Sequence, residues 1–207
     1  MNDGLAPGFY DVPPGMVATV VTYLEMTEPP QHRRAPEGPP AVSVLPSVDT
    51  STYRRLFSRV GAQDWLWFSR MQMTDEALQA ILDNPDVLVA TMMIGEEPEA
   101  LLELDFREPR QCELAFFGVS PALLGQGAGR ALMNAAIELA WQRDIIRFHL
   151  HTCTLDHPQA LSFYRRSGFT PIKQQIEIAP DPRLSGVLSK DAGPHIPVFG
   201  QRDEDVT

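Results

Sequence analysis

Cysteine is nearly absent from this chain. Among 207 residues only Cys112 and Cys153 occur, each inside an apolar stretch. Two cysteines make no disulfide framework and no metal-binding spacing, so both read as buried structural thiols. Clustered positive charge is missing as well. No run of Lys or Arg exceeds two residues and the formal net charge is −10, which removes the electrostatic footprint of a nucleic-acid partner. Acidity favours solubility, and it also favours encounter with cationic partners such as amines. The opening MNDGLAPGFYDVPPG has neither the basic start nor the apolar centre of a signal peptide. No apolar run approaches membrane-spanning length, and no internal repeat is visible. The chain therefore reads as soluble and cytoplasmic, with no membrane partner.

What is present is enough apolar material, 43% of the residues, for one sizeable core. The β-branched run 16–26 predicts a strand. Prolines over 29–47 predict an irregular loop or lid. From Asp49 to Val60, Tyr53, Leu56, Phe57 and Val60 fall at helical spacing, and Gly61 is the expected stop. Trp65 and Trp67 follow, then a second helix capped by Thr74, with Asp75 and Glu76 in its first turn and Pro85 past its end. The runs 87–95, 100–106 and 112–119 predict three strands joined by turns at EEPE and REPR. A helix follows from about Gly127 to Arg143, its apolar face marked by Ala128, Leu132, Ala135, Ala136 and Leu139. Then come a strand at IIRFHLHTCT, a short helix from Pro158 to Gly168, and a last strand at FTPIKQQIEI. Residues 180–207 are rich in Pro, Gly and Asp, yet Leu184, Val187, Leu188, Ile196, Val198 and Phe199 suggest docking on the body. Only the closing QRDEDVT looks free. The order predicts an α/β (mixed α+β) fold, a mostly antiparallel sheet with helices on both faces. The units are a domain over 1–179 and a partly docked extension over 180–207.

The stretch SPALLGQGAGRALM places Gly125, Gly127 and Gly129 between a strand and a helix start. Amides at a helix start are unpaired and carry the positive end of the helix dipole. Glycines let a phosphate approach them. A dinucleotide fingerprint would need the glycines tight against a buried strand in a βαβ unit, but SPALL intervenes. A Walker loop would need Lys-Ser/Thr where Arg130-Ala131 stands.

Here the chain resembles the GNAT N-acetyltransferases. ELAFFGVSPALLGQGAGRALM is similar to the family's motif A, and HTCTLDHPQALSFYRRSGF to its motif B. One departure is Leu124, where the motif leads with Gln or Arg. The resemblance implies acetyl-CoA as cosubstrate and an amine acceptor, on a small molecule or a protein. It implies no metal, and a monomer or a homodimer. The strand 112–119 is expected to splay from the next one, so that the pantetheine arm pairs with backbone near Phe117 and Val119 by strand addition. The pyrophosphate is expected on Leu124, Gln126, Gly127, Ala128, Gly129 and Arg130. Asp156, Ala160 and Phe163 of the second motif complete the implied cofactor contacts.

Tyr164 matches the family's general acid, which protonates the departing thiolate; the alternative is a tyrosine that only packs its ring. Glu113 stands where some members carry a basic glutamate. Alternation puts it on the face of Ala115 and Phe117. A tight hairpin at REPR would bring Asp105 beside it, raising the pKa of one carboxyl; the alternative is a solvated strand glutamate. His149 and His151 share a strand face and read as ordinary core or surface residues rather than metal ligands. Asp156 or His157 is expected to cap the short helix. Trp65, Trp67 and the Pro-rich loop fall where relatives build acceptor pockets. The function implied is amine acetylation in a ternary complex. Two alternatives remain: a non-catalytic acyl-CoA-binding sensor or regulatory module, and a nucleotide-binding enzyme resting on the glycines alone.

Overall fold

The β-branched run near the start forms the longest buried strand. In the computed structural model, which describes residues 4–31, 34 and 37–200, Met16–Met26 is strand β1, with Val17, Val21, Leu24 and Met26 buried. The expectation of irregular backbone throughout 29–47 fails at one place. Val42–Leu45 forms β2, which pairs antiparallel with β3, Val87–Ile94. It is an edge strand, so the flanking Pro40 and Pro46 break no ladder.

Helix α1, Thr50–Phe57, begins where the Asp49 carboxylate accepts from the Thr52 amide at 2.9 Å. Gly61 does not end it. The chain winds on through a π-helical turn, Ser58–Ala62, and a short α2, Gln63–Trp65, and stops at Leu66, whose φ is 53°. Gly61 serves space instead, since a Cβ there would overlap the Trp67 indole. Helix α3, Asp75–Leu82, is capped by Thr74 as its sequence predicts.

A short β4, Glu97–Pro98, pairs with β3. Then follow β5 at Ala100–Asp105, β6 at Gln111–Val119, helix α4 at Ala128–Trp141, β7 at Arg147–Cys153, helix α5 at Ala160–Arg166 and β8 at Thr170–Pro180. The sheet runs β2-β3-β5-β6-β7-β1-β8, and every pairing is antiparallel except β6 with β7. The first strand in sequence thus lies between β7 and β8.

Each sheet face has its own core. On one, Leu132, Met133 and Ala136 of α4 and Tyr164 of α5 pack on Leu102, Leu104 and Leu150. The buried stripe of α4 is Ala128, Leu132, Met133, Ala136 and Ala140, while Ala135 and Leu139 of the expected stripe lie at its flanks. On the other face, Tyr53, Phe57 and Leu78 pack on Val89 and Leu101, together with Leu188 and Ala192 of the C-terminal extension. A buried pair fixes that extension: Arg183 is bonded to Asp181 and also donates to the carbonyls of Ala192 at 3.2 Å and Ile196 at 2.8 Å. The Gly193 amide donates to the Gln63 carbonyl at 2.7 Å, tying the extension to α2. Leu184, Val198 and Phe199, expected to dock, stay about half exposed. QRDEDVT lies outside the described residues.

Candidate active site

Strands β6 and β7 pair only through Gln111–Arg147, Cys112–Phe148 and Glu113–His149. Beyond Glu113 they separate, and the edge of β6 toward β7 is left open. The cause is a bulge. Glu103 pairs with Phe116 and Leu104 with Leu114, so Ala115 has no opposite residue on β5. A bulge bends its strand and raises the local twist. It also reverses the alternation. Glu113 shares a face with Phe116, whereas Phe117 joins Leu114 on the face of α4 and α5. Glu113 and Phe117 are therefore on opposite faces, against the simple period-two expectation.

The gap opens into a cavity of about 480 Å³ that passes from one sheet face to the other. On the α4–α5 side it is lined by Phe117, Val119, Leu124, Gly129, Phe163 and Tyr164, with Ala160 also on its wall and Asp156 where the two sides meet. On the opposite side it is lined by Trp65, Trp67, Phe68, Phe116, His151 and Cys153, with Asp64 and Glu177 also on its wall. Eight of the expected cofactor and acid residues thus meet in one space. Cys153 is half-buried on this wall, while Cys112 is fully buried as expected.

The glycine loop builds an anion cradle at the cavity's edge. Gly125 and Gly127 have φ of 75° and 77°, conformations that a Cβ would disfavour. Gly127 caps α4 with no side-chain bond to its amides. Among the described residues, the Ala128 and Gly129 amides have no backbone acceptor, as the first turn of a helix requires. The side chains do otherwise. The Gln126 amide donates to the Ala122 carbonyl at 2.7 Å, bracing the loop. Arg130 donates to Ser167 at 3.0 Å and lies 4.9 Å from the Phe163 ring centre, pinning α5 to α4. Ala128 is buried in the core. Gln126, Gly127, Ala128 and Arg130 thus sit in the cradle but do not line the cavity; the cradle can hold a pyrophosphate through backbone amides alone.

Tyr164 is nearly buried, its ring among Phe117, Phe163 and Phe169. The residue packs in the core and also lines the cavity. Burial, with Asp156 nearby, pushes its hydroxyl far above the ordinary phenol range, so it stays a proton donor. Asp156 does not cap α5. Its carboxylate accepts from Trp67 Nε1 at 2.9 Å, Thr152 Oγ1 at 2.7 Å and the Cys153 amide at 2.9 Å, clamping the tryptophan loop to the end of β7. Nor does His157 cap α5: the N-cap is Gln159 with no side-chain cap, and His157 Nδ1 accepts from the Gln159 amide at 3.1 Å.

Asp105 does lie opposite Glu113, as the hairpin predicts. Neither carboxyl is raised. Burial pushes Asp105 up, but its bonds from Arg107 outweigh that and hold it below the usual range. The imidazole of His151 beside it holds Glu113 below its usual range against burial. His151 Nδ1 stands 3.5 Å from Glu113 Oε1, and the neighbouring carboxylate raises the imidazole's pKa. His151 lines the cavity and Glu113 does not. Sequence reading passed over His151 because nothing local separates it from His149. It also passed over the buried Glu103, which accepts from both Tyr53 and Arg70, with Arg70 placed 5.1 Å from the Phe116 ring centre behind the cavity wall.

Comparison with known proteins agrees with this geometry. The model of the acetyltransferase (GNAT) family matches residues 46–169, more than half of the chain. A mycothiol acetyltransferase of Jonesia denitrificans is 36% identical over 67 residues, which are 32% of this chain and 21% of that protein. The chain thus matches about a fifth of the length of this curated relative. A GCN5-related N-acetyltransferase from Sphaerobacter thermophilus superposes with a TM-score of 0.56 at 16% identity, over 81% of this chain and 52% of that one. A functionally unknown protein from Staphylococcus epidermidis superposes with a TM-score of 0.56 at 13% identity, over 81% and 63%. These likenesses concern the fold. With the family model spanning both the glycine loop and the α5 motif, this chain belongs to the GNAT acetyltransferase family.

Proposed function

We propose that the chain transfers an acetyl group from acetyl-CoA to a primary amine, by direct attack of the amine on the thioester within a ternary complex. The observation that carries this reading is the cavity through the sheet, with the amide cradle and Tyr164 on one side and an aromatic, acidic-rimmed chamber on the other. The open edge of β6 offers ladder positions to the amides of a pantetheine arm. Phe117, Val119, Leu124, Gly129, Ala160 and Phe163 would hold the cosubstrate, with the amides of Gly127, Ala128 and Gly129 on its pyrophosphate. Tyr164 would return a proton to the departing thiolate. Alignment of the two substrates in one space supplies much of the acceleration, roughly 7–11 kcal/mol when the geometry is good. Trp65, Trp67 and Phe68 with Asp64 and Glu177 suit a cationic amine on an apolar body. Residues 1–179 are read as the catalytic unit and 180–207 as its extension. The reading needs no metal and no membrane, and it is that of a cytoplasmic monomer or homodimer.

The test is release of free thiol from acetyl-CoA with phenethylamine, putrescine, glucosamine and a cysteine-derived α-amine in turn, beside thermal shifts with acetyl-CoA, NAD and ATP. Stabilisation by acetyl-CoA alone together with amine-dependent thiol release supports the reading. Stabilisation without release by any amine turns it into a sensor module.

A further inference from the structure

We infer that His151 is the group that takes the amine's proton, and that Glu113 acts through it as a positioning residue. The inference rests on the acetyltransferase reading above and deepens it.

Geometry separates the two residues. Both stand on the sheet face away from α4 and α5, but only His151 reaches the cavity. Its ring is held from two sides. Nδ1 faces Glu113 Oε1 at 3.5 Å, and the ring lies 5.7 Å from that of Tyr23 across the β1–β7 pairing. A carboxylate at this distance from Nδ1 favours the tautomer with its hydrogen on Nδ1, which leaves Nε2 with its lone pair. The same carboxylate makes Nε2 more basic.

The two faces of the sheet then divide the chemistry. Tyr164 belongs to the core on the α5 face, while His151 lies across the gap. An amine entering through the chamber of Trp65, Trp67 and Phe116 meets His151 before the thioester. In the step, the bound ammonium gives one proton to Nε2. The nitrogen lone pair forms the new C–N bond, and the C–S bond breaks with its electron pair on sulfur. Tyr164 protonates that sulfur, and the surplus proton of the amide nitrogen leaves to solvent. The imidazolium and the phenolate are reset by proton exchange with water.

Three carboxylates around the ring, Glu113, Asp156 and Glu177, favour its protonated form. On β6 stands Glu113; on β1, Glu25 and Tyr23; on β8, Glu177 and Lys173, the latter's Nζ 5.3 Å from the Tyr23 ring centre; on the following loop, Asp156; on β7 itself, His149 and Arg147, with Arg147 paired to Glu25. The Glu113 carboxylate beside it lifts the imidazole above its ordinary value. The base is free only above that raised pKa, so the ascending limb of the rate should lie above about pH 6.5.

The experiment measures pH–rate profiles of the wild type, His151→Gln and Glu113→Gln with the best amine of the panel. It is paired with NMR titration of the His151 ring in the wild type and Glu113→Gln with CoA bound. His151→Gln should lower kcat at neutral pH by about a hundred-fold, lose the ascending limb and recover partly in alkali. Glu113→Gln should keep the limb but move it toward acid, with the His151 titration moving the same way. Acetyl-CoA affinity and melting temperature should change little in both. A limb retained in His151→Gln, or lost in Glu113→Gln, overturns the assignment, as does a His151 titration that ignores Glu113→Gln. Wild-type turnover with the limb intact in His151→Gln removes this inference alone. Absence of wild-type turnover removes the acetyltransferase reading, and the base with it.

Discussion

The proposed cofactor side and the proposed acceptor side of the cavity are built in different ways. The cofactor side comes from two local stretches, the glycine loop with α4 and the helix α5. Its chemistry uses backbone amides and ring packing, set by glycines and helix spacing. The acceptor side is assembled from distant pieces: the π-turn segment, the bulged β6, the outer row of β7 and Glu177 of β8, with the C-terminal extension packed behind Trp65. Asp156 holds Trp67 across 89 positions of sequence, and Gly193 holds Gln63 from the far end of the chain. Trp65 stacks edge-on with both His157 and His195, joining three segments at the mouth. A locally built pocket depends on few residues, while an assembled wall depends on several distant segments. Fold alone leaves that acceptor open.

Single substitutions should separate the two sides. The largest effect is expected on the cofactor side. Gly127→Asp sets a carboxylate in the amide cradle at φ 77°. Isothermal titration should show acetyl-CoA affinity reduced beyond about a hundred-fold, while the fold loses only about 1–2 kcal/mol for the left-handed backbone. Unchanged affinity would remove the loop from the site. Tyr164→Phe keeps the ring and deletes the hydroxyl. Turnover should fall about ten- to a hundred-fold with acetyl-CoA affinity unchanged; wild-type turnover would leave Tyr164 a packing residue.

Acceptor-side changes should be smaller and should fall on the amine. Gly61→Ala drives a methyl into the Trp67 indole. The acceptor KM should rise about ten-fold with acetyl-CoA affinity within two-fold, at a stability cost of about 1–3 kcal/mol. Equal loss for both substrates would show that the two sides are not separable there. Asp156→Asn keeps an acceptor for Trp67 Nε1 but removes the charge, so a rise in acceptor KM of only a few-fold is expected. A loss as large as that of Gly61→Ala would mean that the carboxylate itself meets the amine.

Much was legible in the linear order of residues. Alternation and β-branching gave β1, β3, β5 and β6. Thr74 gave the start of α3, and the glycines followed by an apolar stripe gave the cradle and α4. Each of these depends on contacts within a few residues, where spacing and side-chain type suffice. The two motifs also brought Tyr164, Phe163 and Phe117 to one place by resemblance. The tertiary structure decided the rest. It made β2 from four residues in the Pro-rich segment, because β3 offered them an edge. It inserted β1 between β7 and β8, a choice that needs partners more than a hundred positions away. It placed a bulge at Ala115, which reversed the faces of β6 and parted Glu113 from Phe117. By pairing the ends of β6 and β7 it set His151 against Glu113, so the carboxyl fell in pKa rather than rising. Periodicity cannot carry these outcomes, since a bulge, a strand insertion and an ion pair each depend on which distant atoms arrive at the same spot.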